Sequence, residues 1–178
     1  MRIHAVTPYR DDRNLGKAYN EAFQLIPDDD YLLITDYDVL FLLPDTIRHC
    51  YQYVKQYPEA DMFVCVTNRT YATNAQRYND EVSENDSIRH HIQVARKCAE
   101  KIPQATQLYR TISGFLMLIP KRTWNRVKFT EDLKCLGVDS LFSQELINRR
   151  MKILRMDGIY VWHTYRLATN VHDKDHLL

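Results

Sequence analysis

Glycine and proline are scarce in this chain of 178 residues, with four Gly and six Pro. That excludes a collagenous, low-complexity or linker-rich polypeptide. An excess of either charge is also missing. Lys and Arg number 24 against 23 Asp and Glu, a formal net charge of +1. No strong overall field therefore draws the chain to nucleic acid or to an anionic membrane. No basic stripe interleaved with stacking aromatics is present either, so a nucleic-acid partner is not expected. No apolar run approaches the roughly 18 residues of a membrane span. The four cysteines, Cys50, Cys65, Cys98 and Cys135, are too scattered to form a Cys-x-x-Cys zinc pair. Read as free thiols, they point to a reducing compartment. The opening Met1-Arg2-Ile3-His4-Ala5-Val6 is too short and polar for a secretory signal, so the expected location is cytoplasmic. No internal repeat is visible. What is present, 45% hydrophobic and 26% charged residues, suits one globular domain over 1–178 with a sizeable core.

The informative stretch runs from Asp28 to Leu42. Tyr31-Leu32-Leu33-Ile34-Thr35 is a short apolar run, and it leads into Asp36-Tyr37-Asp38. Such a run reads as a strand buried on both faces of a parallel sheet. Asp-x-Asp occurs by chance in a chain with 23 acids. A charged pair directly after a buried strand is harder to assign to a solvated surface. In open α/β sheets ligands bind beyond the carboxyl ends of strands. Two carboxylates there can hold a hard cation while a substrate diphosphate supplies further oxygens.

The rest of the chain supplies the frame. Ile3–Val6 is an expected strand ended by Thr7-Pro8. A polar loop follows, then a helix over Leu15–Leu25 with Leu15, Ala18, Ala22 and Leu25 on one face. With the strand Tyr31–Thr35 this makes a β-α-β unit whose strands should run parallel. Asp45 is placed to cap a helix over Thr46–Tyr57, and Met62–Thr67 reads as a strand. Residues Asn68–Glu84, with Tyr71 and Tyr78, are polar and read as a long loop or short helices at a site mouth. Asp86 is placed to cap a helix over Ser87–Lys101. Its adjacent His90 and His91 would point in different directions, so they are not taken as ligands. Thr111–Pro120 reads as one strand with Ser113-Gly114 near its start, where Gly suggests a close approach of ligand or backbone. A short helix over Lys121–Val127 is followed by one beginning near Asp139, where Asp139 also suits an N-cap. Met151–Met156 and Ile159–Trp162 read as two strands, and His163 follows directly.

The order of these features resembles the GT-A-type glycosyltransferases, most nearly family 2. The resemblance rests on Thr7-Pro8, Asn14-Leu15-Gly16-Lys17-Ala18-Tyr19-Asn20, Asp36-Tyr37-Asp38, Ser113-Gly114-Phe115-Leu116-Met117, Val138-Asp139-Ser140 and Val161-Trp162-His163. It covers roughly 1–165. It implies an α/β, Rossmann-like GT-A fold with a mixed, mainly parallel sheet flanked by helices. It also implies a nucleotide-diphosphate sugar donor, expected to be UDP-linked, and a glycan, lipid-linked or other hydroxyl acceptor. Peripheral membrane contact is compatible with a lipid-linked acceptor. By the same resemblance Asp36, Asp38 and His163 would hold Mn²⁺ or Mg²⁺, with Asp36 also near the ribose. Thr7, Pro8, Arg10, Asn14 and Lys17 would border the nucleotide, and Ser113-Gly114 the donor sugar. Asp139 would be the catalytic base of an inverting hexosyltransferase-type enzyme, although Val138 stands where the family usually has a second acid. Arg10, Arg69, Lys121 and Arg166 are candidates to meet phosphate.

Two other classes fit parts of the pattern. Asp36-Tyr37-Asp38-Val39 also looks like the nucleophile motif of haloacid-dehalogenase-like phosphatases. There, however, it follows the first strand, and no later Asp-rich motif completes a metal site here. An accessory domain that binds a nucleotide-sugar without transferring it is the non-enzymatic alternative. A nucleotidyltransferase would need a Gly-rich loop after the first strand, which is absent.

Overall fold

The computed structural model of the protein describes residues 1–70, 74–79, 82 and 85–164. Tyr71 and Arg166 lie outside the described residues. Seven strands form one sheet: β1 (Ile3–Val6), β2 (Tyr31–Thr35), β3 (Val39–Phe41), β4 (Met62–Thr67), β5 (Ala105–Leu108), β6 (Leu116–Pro120) and β7 (Ile153–His163). Among the described residues five helices accompany it: α1 (Leu15–Gln24), α2 (Thr46–Gln56), α3 (Ile88–Ala99), α4 (Lys121–Arg126) and α5 (Val138–Asn148). A short 3₁₀ turn spans Asn74–Gln76. Among the described residues no helix is long and apolar enough to cross a membrane.

The spatial order is β1-β2-β6-β4-β7-β3, with β5 paired to the first half of β7. The α/β class and the mixed sheet flanked by helices are as expected. The preponderance of parallel pairs is not. β1–β2 and β4–β7 are parallel, whereas β2–β6, β4–β6, β3–β7 and β5–β7 are antiparallel. Burial on both faces was the signal for parallel strands, and here it has another cause. Helices cover both faces of the sheet regardless of strand direction.

The two-residue period of the strands divides the core. Leu32, Ile34, Met62, Val64, Met117, Ile119 and Ile153 face one side, against Tyr19 and Phe23 of α1, Trp124 of α4 and Phe142 and Leu146 of α5. Tyr31, Leu33, Phe63, Cys65, Leu116, Leu118 and Met156 face the other, against Cys50, Tyr53 and Val54 of α2. A smaller cluster seats Val94, Ala95 and Cys98 of α3 on Val66 and Tyr160. Cys50, Cys65, Cys98 and Cys135 are all free thiols, as read from their spacing.

Several boundaries moved for local reasons. Ser87, not Asp86, occupies the cap position of α3. Ser113 and Gly114 precede β6 instead of starting it. The two strands expected at the end of the chain are one. Asp157, Gly158 and Ile159 bulge out of the β4 register, which steps from Cys65↔Met156 to Val66↔Tyr160. The Gly158 amide donates to the Tyr53 hydroxyl at 2.7 Å. The Asp157-Gly158 step between the two expected strands is therefore part of a bulge within one strand.

Asn14 and Gly16 set the start of α1. The Asn14 side chain accepts from the Lys17 amide at 2.9 Å and donates to the Glu131 carbonyl at 2.8 Å. Asn20 accepts from the Trp124 indole and the Phe129 amide, and donates to the Phe129 carbonyl and Glu131. Gly16 lets the 129–131 segment approach, because a methyl group there would collide with the Thr130 carbonyl. Gly16→Ala should therefore destabilise the fold by about 2 kcal/mol, a fall of roughly 4 to 8 °C in Tm. Thermal unfolding followed by circular dichroism checks it, and an unchanged Tm would contradict the packing account.

Candidate active site

A cavity of about 640 Å³ opens beyond the carboxyl ends of β1, β2 and β7. Its wall includes Thr7, Pro8, Arg10, Asn14, Asp36, Asp38, Ser113, Gly114, Asp139 and His163. Of the other nominated residues that are described, Lys17, Arg69 and Lys121 are not part of that lining. The remaining wall includes Tyr9, Tyr19, Tyr37, Phe115, Cys135 and Leu136. Tyr9 and Tyr37 are exposed at the mouth.

Strand register brings the charged groups together. β3 begins at Val39, which pairs with His163 at the end of β7. The residue before Val39 is Asp38, and its Oδ1 lies 3.2 Å from His163 Nε2. The Thr164 amide also donates to the Asp38 carbonyl at 2.9 Å, extending the pairing. The Asp36 amide donates to the Phe115 carbonyl at 3.0 Å, so Asp36 continues the β2–β6 ladder. One ligand atom each from Asp36, Asp38 and His163 falls within 4.8 Å of the others.

The orientation of His163 is fixed from behind. Its Nδ1 lies 3.0 Å from the Arg69 carbonyl. A carbonyl only accepts, so Nδ1 carries a proton. Its amide donates to the buried Asn68 side chain at 2.9 Å, and its ring stacks on Phe115 with centroids 5.1 Å apart. In the neutral ring, Nε2 then turns a lone pair toward a carboxylate oxygen. That contact is favourable only with a proton or a cation between them. Two carboxylates and an imidazole backed by a carbonyl could hold a divalent metal ion.

Asp139 lies in the first turn of α5, where negative charge is favoured. It is not the cap. Gly137, at φ 84°, holds that position. The Asp139 carboxylate accepts from the Ser140 amide at 2.8 Å and from the Gly114 amide at 2.5 Å. The close approach that Gly114 permits is to this side chain. A Cβ at Gly114 would stand 2.7 Å from Asp139 Cβ. Burial pushes the Asp139 carboxyl up, and the Gly114 and Ser140 amides oppose that.

Several nominated cations are otherwise engaged. The Arg10 guanidinium meets Asp12 at 2.9 Å and Glu21 at 2.6 Å, so its charge is answered within the protein. Lys121 is buried. Its ammonium donates to the carbonyls of Phe23 and Ile26 and lies over the Trp124 ring. Lys121 is thereby corrected from a phosphate ligand to a structural residue. Arg69 supplies the carbonyl behind His163. Asn20, part of the stretch that carries the resemblance, is a buried tie between α1 and the 124–131 segment. His91 is buried between the Tyr160 hydroxyl at 2.7 Å and the Asn85 carbonyl at 2.6 Å, and it is structural. Sequence reasoning missed Gln76, whose buried amide faces Ser113. Nothing in a polar stretch marked it out from its neighbours.

Among the described residues no hydrogen-bond donor reaches the Asp36 carboxyl. Burial pushes that carboxyl up to about 6, with Asp38 and Asp139 adding to the push and His163 opposing it. In the unfolded chain the same group titrates near 3.8. Between these values the native state keeps a proton that the unfolded chain has lost. The resulting stabilisation is full below 3.8 and is lost as pH rises through 6. The stability difference between the wild type and Asp36→Asn should fall across that window. Urea unfolding midpoints from pH 4 to 7 check it, and a difference independent of pH would contradict the buried placement of Asp36. In comparisons with known proteins, the chain matches no family model and no curated protein.

Proposed function

We propose that this chain is a metal-dependent glycosyltransferase of the hexosyltransferase type, moving a sugar from a nucleotide-diphosphate sugar, UDP-linked by preference, to an acceptor hydroxyl. One observation carries the reading. A single cavity gathers two strand-end carboxylates, an oriented imidazole and a third carboxylate from stretches far apart in the chain. Those are the groups that this chemistry requires.

Asp36, Asp38 and His163 would hold Mn²⁺ or Mg²⁺, whose charge would offset the charge developing on the leaving diphosphate. Thr7, Pro8 and Asn14 would border the nucleotide. The acceptor hydroxyl oxygen would bond to the anomeric carbon as the bond from that carbon to the diphosphate oxygen breaks. Its proton would pass to Asp139. Attack from the face opposite the diphosphate would invert the anomeric centre. The cavity would hold the two partners in line, which removes much of the entropic barrier.

A second reading has an observation of its own. Both Asp139 oxygens already accept backbone amides, an arrangement that would serve equally in a domain that binds a nucleotide-sugar without transferring it. Substitution separates the two. Calorimetry with UDP, GDP and their sugar conjugates, each with Mn²⁺ and with EDTA, should show one nucleotide-sugar binding only in the presence of metal. Asp38→Ala should abolish that binding while the domain stays folded. Asp139→Asn should keep it and lower transfer by a hundredfold or more, on the order expected for a missing base. Full transfer by Asp139→Asn would remove the base assignment. Hydrolysis of a simple phosphate ester with no nucleotide binding would replace the transferase reading with the phosphatase one.

A further inference from the structure

We infer that Gln76 is a positioning residue for the Asp139 carboxylate, acting through the backbone of Ser113 and Gly114. The inference deepens the proposed role of Asp139 and rests on that reading for its functional meaning.

Three consecutive amides ahead of β6 each donate to a side chain. Ile112 donates to Ser143 Oγ at 3.2 Å, Ser113 to Gln76 Oε1 at 2.8 Å, and Gly114 to Asp139 Oδ2 at 2.5 Å. Ser143 and Asp139 stand four residues apart on α5, on one face. Gln76 comes from the other side, in the 3₁₀ turn after β4. It is fully buried, and its Nε2 returns a hydrogen bond to the Ser113 carbonyl at 3.1 Å. The side-chain amide thus pairs with both polar groups of one residue, as a neighbouring strand would. Among side chains in their usual ionisation state at neutral pH, only a carboxamide offers a donor and an acceptor at that spacing.

The turn that carries Gln76 is itself anchored. Arg155 Nη1 donates to the Ala75 carbonyl at 2.6 Å, while Arg155 Nε meets Asp157 at 2.7 Å. The Tyr78 amide donates to the Thr67 carbonyl at 2.8 Å. Gln76 therefore transmits the position of the sheet to Ser113, and Ser113 fixes the direction of the next amide. The other hydrogen bonds to the Asp139 carboxylate come from Ser140 and from its own amide, on the same helix, so they move with Asp139 and cannot fix the carboxylate against the rest of the cavity. The Gly114 amide can.

Gly114 is one of only four glycines, so its amide is readily followed by NMR. In the wild type its proton should resonate well downfield, as a short bond to a carboxylate requires. In Gln76→Leu it should move upfield and Asp139 should titrate at higher pH, while the amides of Gly16, Gly137 and Gly158 stay in place. Gln76→Glu keeps the acceptor and the volume and serves if the leucine variant does not fold. The glutamate should shift the Gly114 resonance when ionised and restore it when protonated, since the acid again offers a donor. An unmoved Gly114 amide in a folded Gln76 variant would overturn the inference. Wild-type protein that binds neither UDP nor GDP with Mn²⁺ would sink the functional reading of the cavity instead, and the Gly114 resonance would still decide the positioning claim.

Discussion

The pairing of β3 with the far end of β7 is the constraint on which the cavity depends. Val39 and His163 are register partners, and that alone sets Asp38 beside the imidazole. The pairing requires β7 to run the full depth of the sheet. It does so only because the strand absorbs Asp157-Gly158-Ile159 as a bulge. Before the bulge β7 lies between β4 and β5. After it β7 lies between β4 and β3. Tyr53 of α2 holds the bulge through the Gly158 amide. A helix on the face away from α1 and α5 thus helps to place a histidine in the cavity.

Much of this was legible in the sequence because it is local. β2 and β4 were readable to the residue from uniform apolar runs flanked by polar ones. Asp36 and Asp38 stood out because they end a readable buried strand, whereas His163 and Asp139 were nominated through the family resemblance. What escaped is set by distant partners. β5, Ala-Thr-Gln-Leu, has the composition of a loop and is a strand only because β7 offers it an edge. Strand direction escaped because helices cover both faces whichever way a strand runs. Gly114 announced a close approach, but only the fold reveals that Asp139 is the neighbour. Arg10 and Lys121 carry charges that suit phosphate, and the fold answers them with Asp12, Glu21 and main-chain carbonyls instead.

The three carboxylates of the cavity differ in what the protein provides for them. Asp139 has two backbone amides and the start of a helix. Asp38 has His163. Asp36 has no hydrogen-bond donor among the described residues, and burial pushes it up to about 6. A carboxylate built into the end of a buried strand without a partner is an electrostatic cost to the fold. The cost is explained if the group serves something from outside. A divalent cation shared with Asp38 and His163 would turn that unfavourable term into binding free energy, and its uptake would release the proton that Asp36 otherwise retains near its shifted value. The proposed metal role therefore accounts for the least satisfied group in the cavity. A purely structural role for Asp36 leaves that group unexplained.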